Sequence, residues 1–168
     1  MRMIIVYVDI TAPLYWWKEF DTYMVGTVAN SCSTMHKIAE KEFTLDDFSC
    51  EHLIEDGEDE DENLDGCDII IPMSNEEESN DDYICAYPKD IANLVVESLN
   101  QCREMYLDTK DKKYWWQMIQ LLPSSYNQKR TIEVNYEVLA NIWKSRKDHK
   151  LDEWNHAFSG SFCNWIAK

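Results

Sequence analysis

The chain has 168 residues, 32 Asp and Glu against 16 Lys and Arg, and a formal net charge of −16. Its length fits one domain, 1–168, and 45% apolar residues suffice for a core, while only four Gly and four Pro exclude a linker-like or low-complexity chain. The acid excess argues against direct nucleic-acid binding, no run approaches the roughly 20 apolar residues of a membrane span, and no cleavage-like stretch follows Met1–Ile10, so a soluble, cytoplasmic protein is expected.

In chain order, Met3–Asp9 is apolar and β-branched and reads as a strand. Thr11–Phe20 reads as a short helix with Pro13 near its start and Trp16, Trp17 and Phe20 to bury. Thr22–Ala29 reads as extended, and Ser31–Lys41 as a helix begun by Ser31 or Ser33. Cys32 and His36 then fall four apart on one face, a metal-compatible spacing that lacks any further ligand; a buried thiol and a partly exposed imidazole are the expectation, and no metal. The six cysteines, widely and irregularly spaced with no C-x-x-C pair, read as free thiols of a reducing compartment.

Glu42–Pro88 contains 18 acids and no Lys or Arg, which leaves 14 acids against 16 bases elsewhere. This is an acidic insert, 42–88, in an otherwise balanced domain. Its densest parts are Glu55–Asp65 and the group Glu76, Glu77, Glu78, Asp81 and Asp82; between them Cys67–Pro72 reads as a short hairpin strand. A solvated loop on each side of that strand is one reading. The other is a surface that imitates spaced phosphates and binds a basic host defence protein. Asp61-x-Asn63-x-Asp65-Gly66 matches the opening of an EF-hand loop, but its bidentate Glu position is Pro72, so an EF-hand is excluded and at most a weak cation site remains.

Asp90–Leu107 is the clearest helix, with Ile91, Leu94, Val95, Leu99, Cys102, Met105 and Tyr106 as one apolar stripe and Asp90 as candidate cap. A second helix over Asp111–Leu122 stops at Pro123; its Tyr114-Trp115-Trp116 echoes Tyr15-Trp16-Trp17, paired indoles that suit a core or subunit interface. Ser124–Arg130 is a polar loop whose hydroxyls, Asn127, Lys129 and Arg130 suit an anion, the alternative being a solvated turn. Thr131–Arg146 reads as a third helix, with Val134, Val138, Leu139, Ile142 and Trp143 apolar. A last helix is expected from about Leu151, carrying Trp154, Phe158, Phe162 and Trp165 and open to a break at Gly160.

The segment Asn135–Arg146, with an Asn at its start, Leu139, Asn141 and a closing Arg, resembles the C-terminal motif of flavin-dependent thymidylate synthases. Leu121-Leu122-Pro123 and Thr131 resemble the approach to that motif, and His149, Glu153 and Trp154 its continuation. The good resemblance covers Leu121–Trp154. Gly26–Asn30 and Leu121–Arg130 also resemble phrases of uncharacterised bacteriophage proteins. By resemblance, Asn135 and Asn141 would line a flavin (FAD) site and Arg146 would face the uracil of deoxyuridylate, in homo-oligomers. The family's Arg-His-Arg signature is absent, Ile119 stands where it has a nucleotide-binding Arg, and its Gly-His motif is reduced to Ser33-Thr34-Met35-His36. Each charged hydrogen bond so lost costs about 1.5–3 kcal/mol.

The expectation is an α+β fold, a small mixed or antiparallel sheet packed against long helices as in those synthases. The leading function is phage-encoded, non-catalytic nucleotide binding, with no bound cofactor, sequestering a host defence signal. Ser124, Ser125, Asn127, Lys129, Arg130, Asn135, Asn141 and Arg146 form the expected site. The alternatives are an acidic nucleic-acid-mimic inhibitor and a residual flavin-dependent enzyme. No nucleophile–base or acid–base pair can be placed in one site from the sequence, so no catalytic residue is assigned.

Overall fold

The computed structural model describes residues 1–23, 25–31, 34–55, 69–72 and 83–168, and of Thr34, 69–72 and 83–86 the backbone only. In chain order the elements are β1 (Ile5–Pro13), α1 (Leu14–Phe20), β2 (Thr27–Ser31), α2 (Thr34–Lys37), β3 (Ile69–Pro72), β4 (Tyr83–Ala86), α3 (Pro88–Thr109), α4 (Lys112–Leu121), β5 (Asn127–Asn135), α5 (Tyr136–Arg146) and α6 (Phe162–Ile166). Helices and antiparallel strands together make an α+β fold, as expected. The chain divides into two compact units, Met1–Thr34 with Ser124–Lys168, and Met35–Pro123.

The first unit is built on a three-stranded antiparallel sheet in the order β1-β5-β2. Strand alternation sets its two faces. Val6, Val8, Ile10 and Ala12 of β1 lie opposite Val134, Ile132, Arg130 and Gln128 of β5 on the inner face. Tyr7, Asp9 and Thr11 lie opposite Glu133, Thr131 and Lys129 on the outer one. Trp16, Trp17 and Phe20 of α1, Leu139 and Ile142 of α5, Trp154, Phe162 and Cys163 complete the core with Ile132 and Val134. Trp16 stacks on Trp154 at 4.5 Å and on Phe20 at 5.3 Å, and meets Phe162 edge-on at 5.5 Å. Offset and edge contacts of this kind add about 0.5–1.5 kcal/mol per pair to the burial of the rings.

Asn127–Asn135 is a strand, not the end of a polar loop followed by a helix, because Arg130, Ile132 and Val134 alternate inward with period two. The helix begins only at Tyr136, where the Asn135 side-chain oxygen accepts from the Val138 N–H at 3.0 Å. β1 runs on to Pro13, so α1 starts at Leu14 rather than Thr11, and the extended segment after it is confined to Thr27–Ser31. The last helix shrinks to Phe162–Ile166: Leu151–Gly160 is a succession of turns, Gly160 has φ +92°, and Ser161 caps α6 by accepting from Asn164 N–H at 3.1 Å.

In the second unit α3 is longer than expected and Asp90 caps it from inside, its carboxylate accepting the Tyr87 N–H at 2.9 Å. Leu99 is fully buried, whereas Leu94 and Met105 of the expected stripe lie exposed at its edges. Asn100 clasps the backbone of Phe43 through two hydrogen bonds of 2.8 and 2.9 Å, which seats Phe43 and Phe48 in this unit. α3 ends at Lys110 in the left-handed region; Asp111 caps α4, which stops before Pro123 as expected. Trp115 donates to the Met35 carbonyl at 3.0 Å while Trp116 stays exposed. α2 is one turn, far shorter than Ser31–Lys41. β3 and β4 form a separate antiparallel hairpin, which places Ile69–Pro72 in a strand as expected. The Asp61–Gly66 loop, the bulk of Glu55–Asp65, the Glu76–Asp82 cluster and Cys32 lie outside the described residues. Cys50, Cys102 and Cys163 are free thiols. Among the described residues no helix is long and apolar enough to cross a membrane and no group of ligating side chains could hold a metal.

Candidate functional site

The eight residues expected to form one site do not converge. β5 separates Asn127 from Asn135 by about 26 Å at roughly 3.3 Å per residue. Alternation along β5 then sends Lys129 and Arg130 to opposite faces of the sheet. Lys129 stays on the outer face and pairs with Asp9 at 2.8 Å, where Thr131 also donates to Asp9 at 2.6 Å. Those two hydrogen bonds, Lys129 first, hold the Asp9 carboxyl below its ordinary range. Ser124 is exposed, and its carbonyl accepts from the Tyr15 N–H at 3.1 Å; Ser125 is half-buried in the same turn.

Arg130 and Arg146 do come to one place, the acidic end of α1, but each is already held there. Arg130 donates to Asp21 at 3.0 Å and to Gln128 at 2.8 Å, with its guanidinium 4.4 Å from the centre of the Trp17 ring. Arg146 donates to Glu19 and, at 3.1 Å, to the Tyr23 hydroxyl, and lies 5.4 Å from the Trp154 ring. His149 completes this group. Its Nδ1 accepts the Leu151 N–H at 3.2 Å, and its Nε2 lies 2.8 Å from Arg146 Nη1 and 3.3 Å from Glu19. Both guanidiniums are thus satisfied by carboxylates and stacked on indoles, which fixes α1 to β5 and α5.

The flavin reading can be tested on the same geometry. The Asn135 side-chain oxygen is occupied in capping, Asn141 is exposed on the outside of α5, and Arg146 is bound to Glu19. From Asn135 to Arg146 the helix spans about 16 Å at 1.5 Å per residue. Within one chain these residues do not fit a flavin, and no step through one can be derived from them.

What sequence reasoning missed is a cavity of about 780 Å³ in the first unit, against α5. Tyr136, Leu139, Trp143 and Lys144 line it from α5, and Trp165 and Lys168 from the C-terminal segment. Leu139 and Trp143 were visible as one apolar stripe. That the stripe serves both core and cavity was not, because Met1, Val6 and the C-terminal turn arrive from far away in sequence. α5 is fixed in place by its Asn135 cap and by Arg2, which donates to Glu137 at 3.0 Å and holds that carboxyl below its ordinary range. In the core Cys163 is fully buried, and burial pushes its thiol up to about 11.

Comparison with family models, with curated proteins and with solved structures finds no match. The likeness to flavin-dependent thymidylate synthases therefore stands on the residues of Leu121–Trp154 alone.

The cavity has the size of a small-ligand site, for which about 300–1,000 Å³ is usual. Its wall is aliphatic and aromatic, interrupted by the Tyr136 hydroxyl and the two lysines, and among the described residues includes no carboxylate, imidazole or thiol side chain. Such a wall can hold a flat or apolar body and an attached charged group. It supplies no nucleophile–base pair with which to cleave one.

Proposed function

We propose that the protein binds a nucleotide-sized small molecule in the α5 cavity and holds it without turning it over. The observation that carries this reading is the cavity itself: about 780 Å³, with Tyr136, Trp143 and Trp165 in its wall and, among the described residues, lysines as its only charged lining side chains. Aromatic faces stack on planar bases at about 1–3 kcal/mol each, and lysine is a point charge suited to a phosphate. The use we propose, from the phage-like phrases at Gly26–Asn30 and Leu121–Arg130, is sequestration of a host nucleotide signal. A thermal-shift panel of mono-, di- and cyclic nucleotides tests it. A ligand present at 100 times its Kd stabilises the folded state by about 2.7 kcal/mol. That shift should appear with at least one nucleotide and vanish in Trp143→Ala. An unshifted melting point across the whole panel would refute the reading.

A second reading rests on a different observation, the 18 acids without Lys or Arg over Glu42–Pro88. In it that segment docks on a basic host protein, and association weakens steeply with salt. Removal of Glu55–Asp65 with no loss of biological activity would rule it out.

A further inference from the structure

In a chain of net charge −16, most cations find a carboxylate. At least nine of the 16 Lys and Arg side chains sit within 4.0 Å of one, Arg2, Arg130 and Arg146 among them. The other seven have no carboxylate partner among the described residues, and two of them, Lys144 and Lys168, line the α5 cavity. The one acid of α5, Glu137, is taken by Arg2. Lys147, the next lysine along α5, lies over the Trp143 ring at 5.1 Å and pairs with Asp148. Two lysines with no carboxylate side chain paired to them thus line a wall that is otherwise largely apolar, on a molecule of net negative charge. Uncompensated cations beside a concave apolar surface raise the local concentration of anions and discriminate by charge.

We infer that the cavity selects an amphipathic anion: an apolar or aromatic body against Leu139, Trp143 and Trp165, and a carboxylate, phosphate or sulfonate head at Lys144 and Lys168. This rests on the reading of the cavity as a ligand site and adds the sign of the ligand's charge and its orientation. A nucleotide, with base inward and phosphate outward, meets the description; a neutral apolar compound does not.

Two dyes that share an aromatic frame and differ in charge make the test: anionic 1-anilinonaphthalene-8-sulfonate and neutral N-phenyl-1-naphthylamine. Binding is read by dye fluorescence and by energy transfer from tryptophan, on the full chain, with Ala140→Phe as the variant that fills the cavity. The sulfonate should bind at least tenfold more tightly than the neutral dye, equal to about 1.4 kcal/mol. Lys144→Gln/Lys168→Gln should remove that advantage, leave the neutral dye unchanged, and leave the melting point near the parent's. The advantage should also shrink as salt rises. Equal binding of the two dyes, or a sulfonate advantage untouched in the double variant, would overturn the charge assignment and leave the cavity as a site. Absence of Ala140-sensitive binding by either dye would overturn the cavity reading and this inference with it.

Discussion

Asn135 separates a structural role from a ligand role within one side chain. Its oxygen accepts the Val138 N–H at 3.0 Å at the start of α5. Asn135→Ala leaves that donor unpaired at a helix end, for about 1 kcal/mol within a range of roughly 0.5–2. Asn135→Asp keeps the acceptor and places a negative charge at the positive end of the helix, a gain of about 0.3–1 kcal/mol that offsets any loss. Asn141→Ala touches an exposed position inside α5, where Ala is the better helix former by up to about 0.7 kcal/mol. The order of stability should be Asn141→Ala at or above the parent, Asn135→Asp near it, and Asn135→Ala below. Urea unfolding followed by far-UV circular dichroism measures this. With a slope of about 1–3 kcal/mol/M, the Asn135→Ala midpoint should fall by roughly 0.3–1 M at unchanged slope. A parent-like Asn135→Ala combined with a destabilised Asn141→Ala would show that α5 does not start where the cap places it.

Gly26 has φ +81°, and a Cβ there would stand 2.7 Å from Asn135 Nδ2. Gly26→Ala should cost more than the roughly 1–2 kcal/mol of left-handed strain alone, and the double variant with Asn135→Ala should cost less than the sum of the two, as read in a double-mutant cycle. Cys163, with its thiol pushed up to about 11, should resist a disulfide-exchange reagent at pH 8 in the folded protein and react on unfolding. Because the folded value is raised, its contribution to stability is complete below the ordinary thiol range and is lost as pH climbs toward about 11, which a Cys163→Ala comparison over alkaline pH would display. Asp9 has the opposite sign. Its folded value is lowered, so its contribution is present above the ordinary carboxylate range and fades as pH falls through the lowered one. Asp9→Asn should therefore flatten the acid limb of the stability curve.

The parts of the fold legible in the sequence were those whose signals agreed. α4 has a capping Asp111 at one end and Pro123 beyond the other, and α3 has one dominant apolar line through Ile91, Val95 and Leu99. β5 looks helical in sequence because Val134 satisfies two periods at once: it continues Val138 and Ile142 at helical spacing and Ile132 at strand spacing. Asn135 reads in the sequence as the head of a motif inside a helix, yet its short polar side chain is itself the boundary signal. Trp154, Phe158, Phe162 and Trp165 suggested a helix by spacing, but only Trp154 and Phe162 of these reach the core, through turns rather than along one face. The polar loop dissolved for a related reason: adjacent Lys129 and Arg130 make a cationic pair in a loop and point apart in a strand. The cavity is illegible in the sequence because its wall is assembled from residues as far apart as Val6 and Trp165.

The order β1-β5-β2 has a temporal side. β1 and β2 do not pair with each other; both wait for a strand that begins at Asn127. At roughly 5–20 residues per second, the ribosome takes about 5–20 s to travel from Ser31 to Asn127. Through that interval two strand-forming segments stand without their shared partner, while α3 and α4, whose contacts are local, can already fold. Nascent chains of the first unit should therefore stay protease-sensitive until β5 emerges. A nonsense mutation between Ser31 and Asn127 leaves not a smaller version of that unit but two unpaired strands.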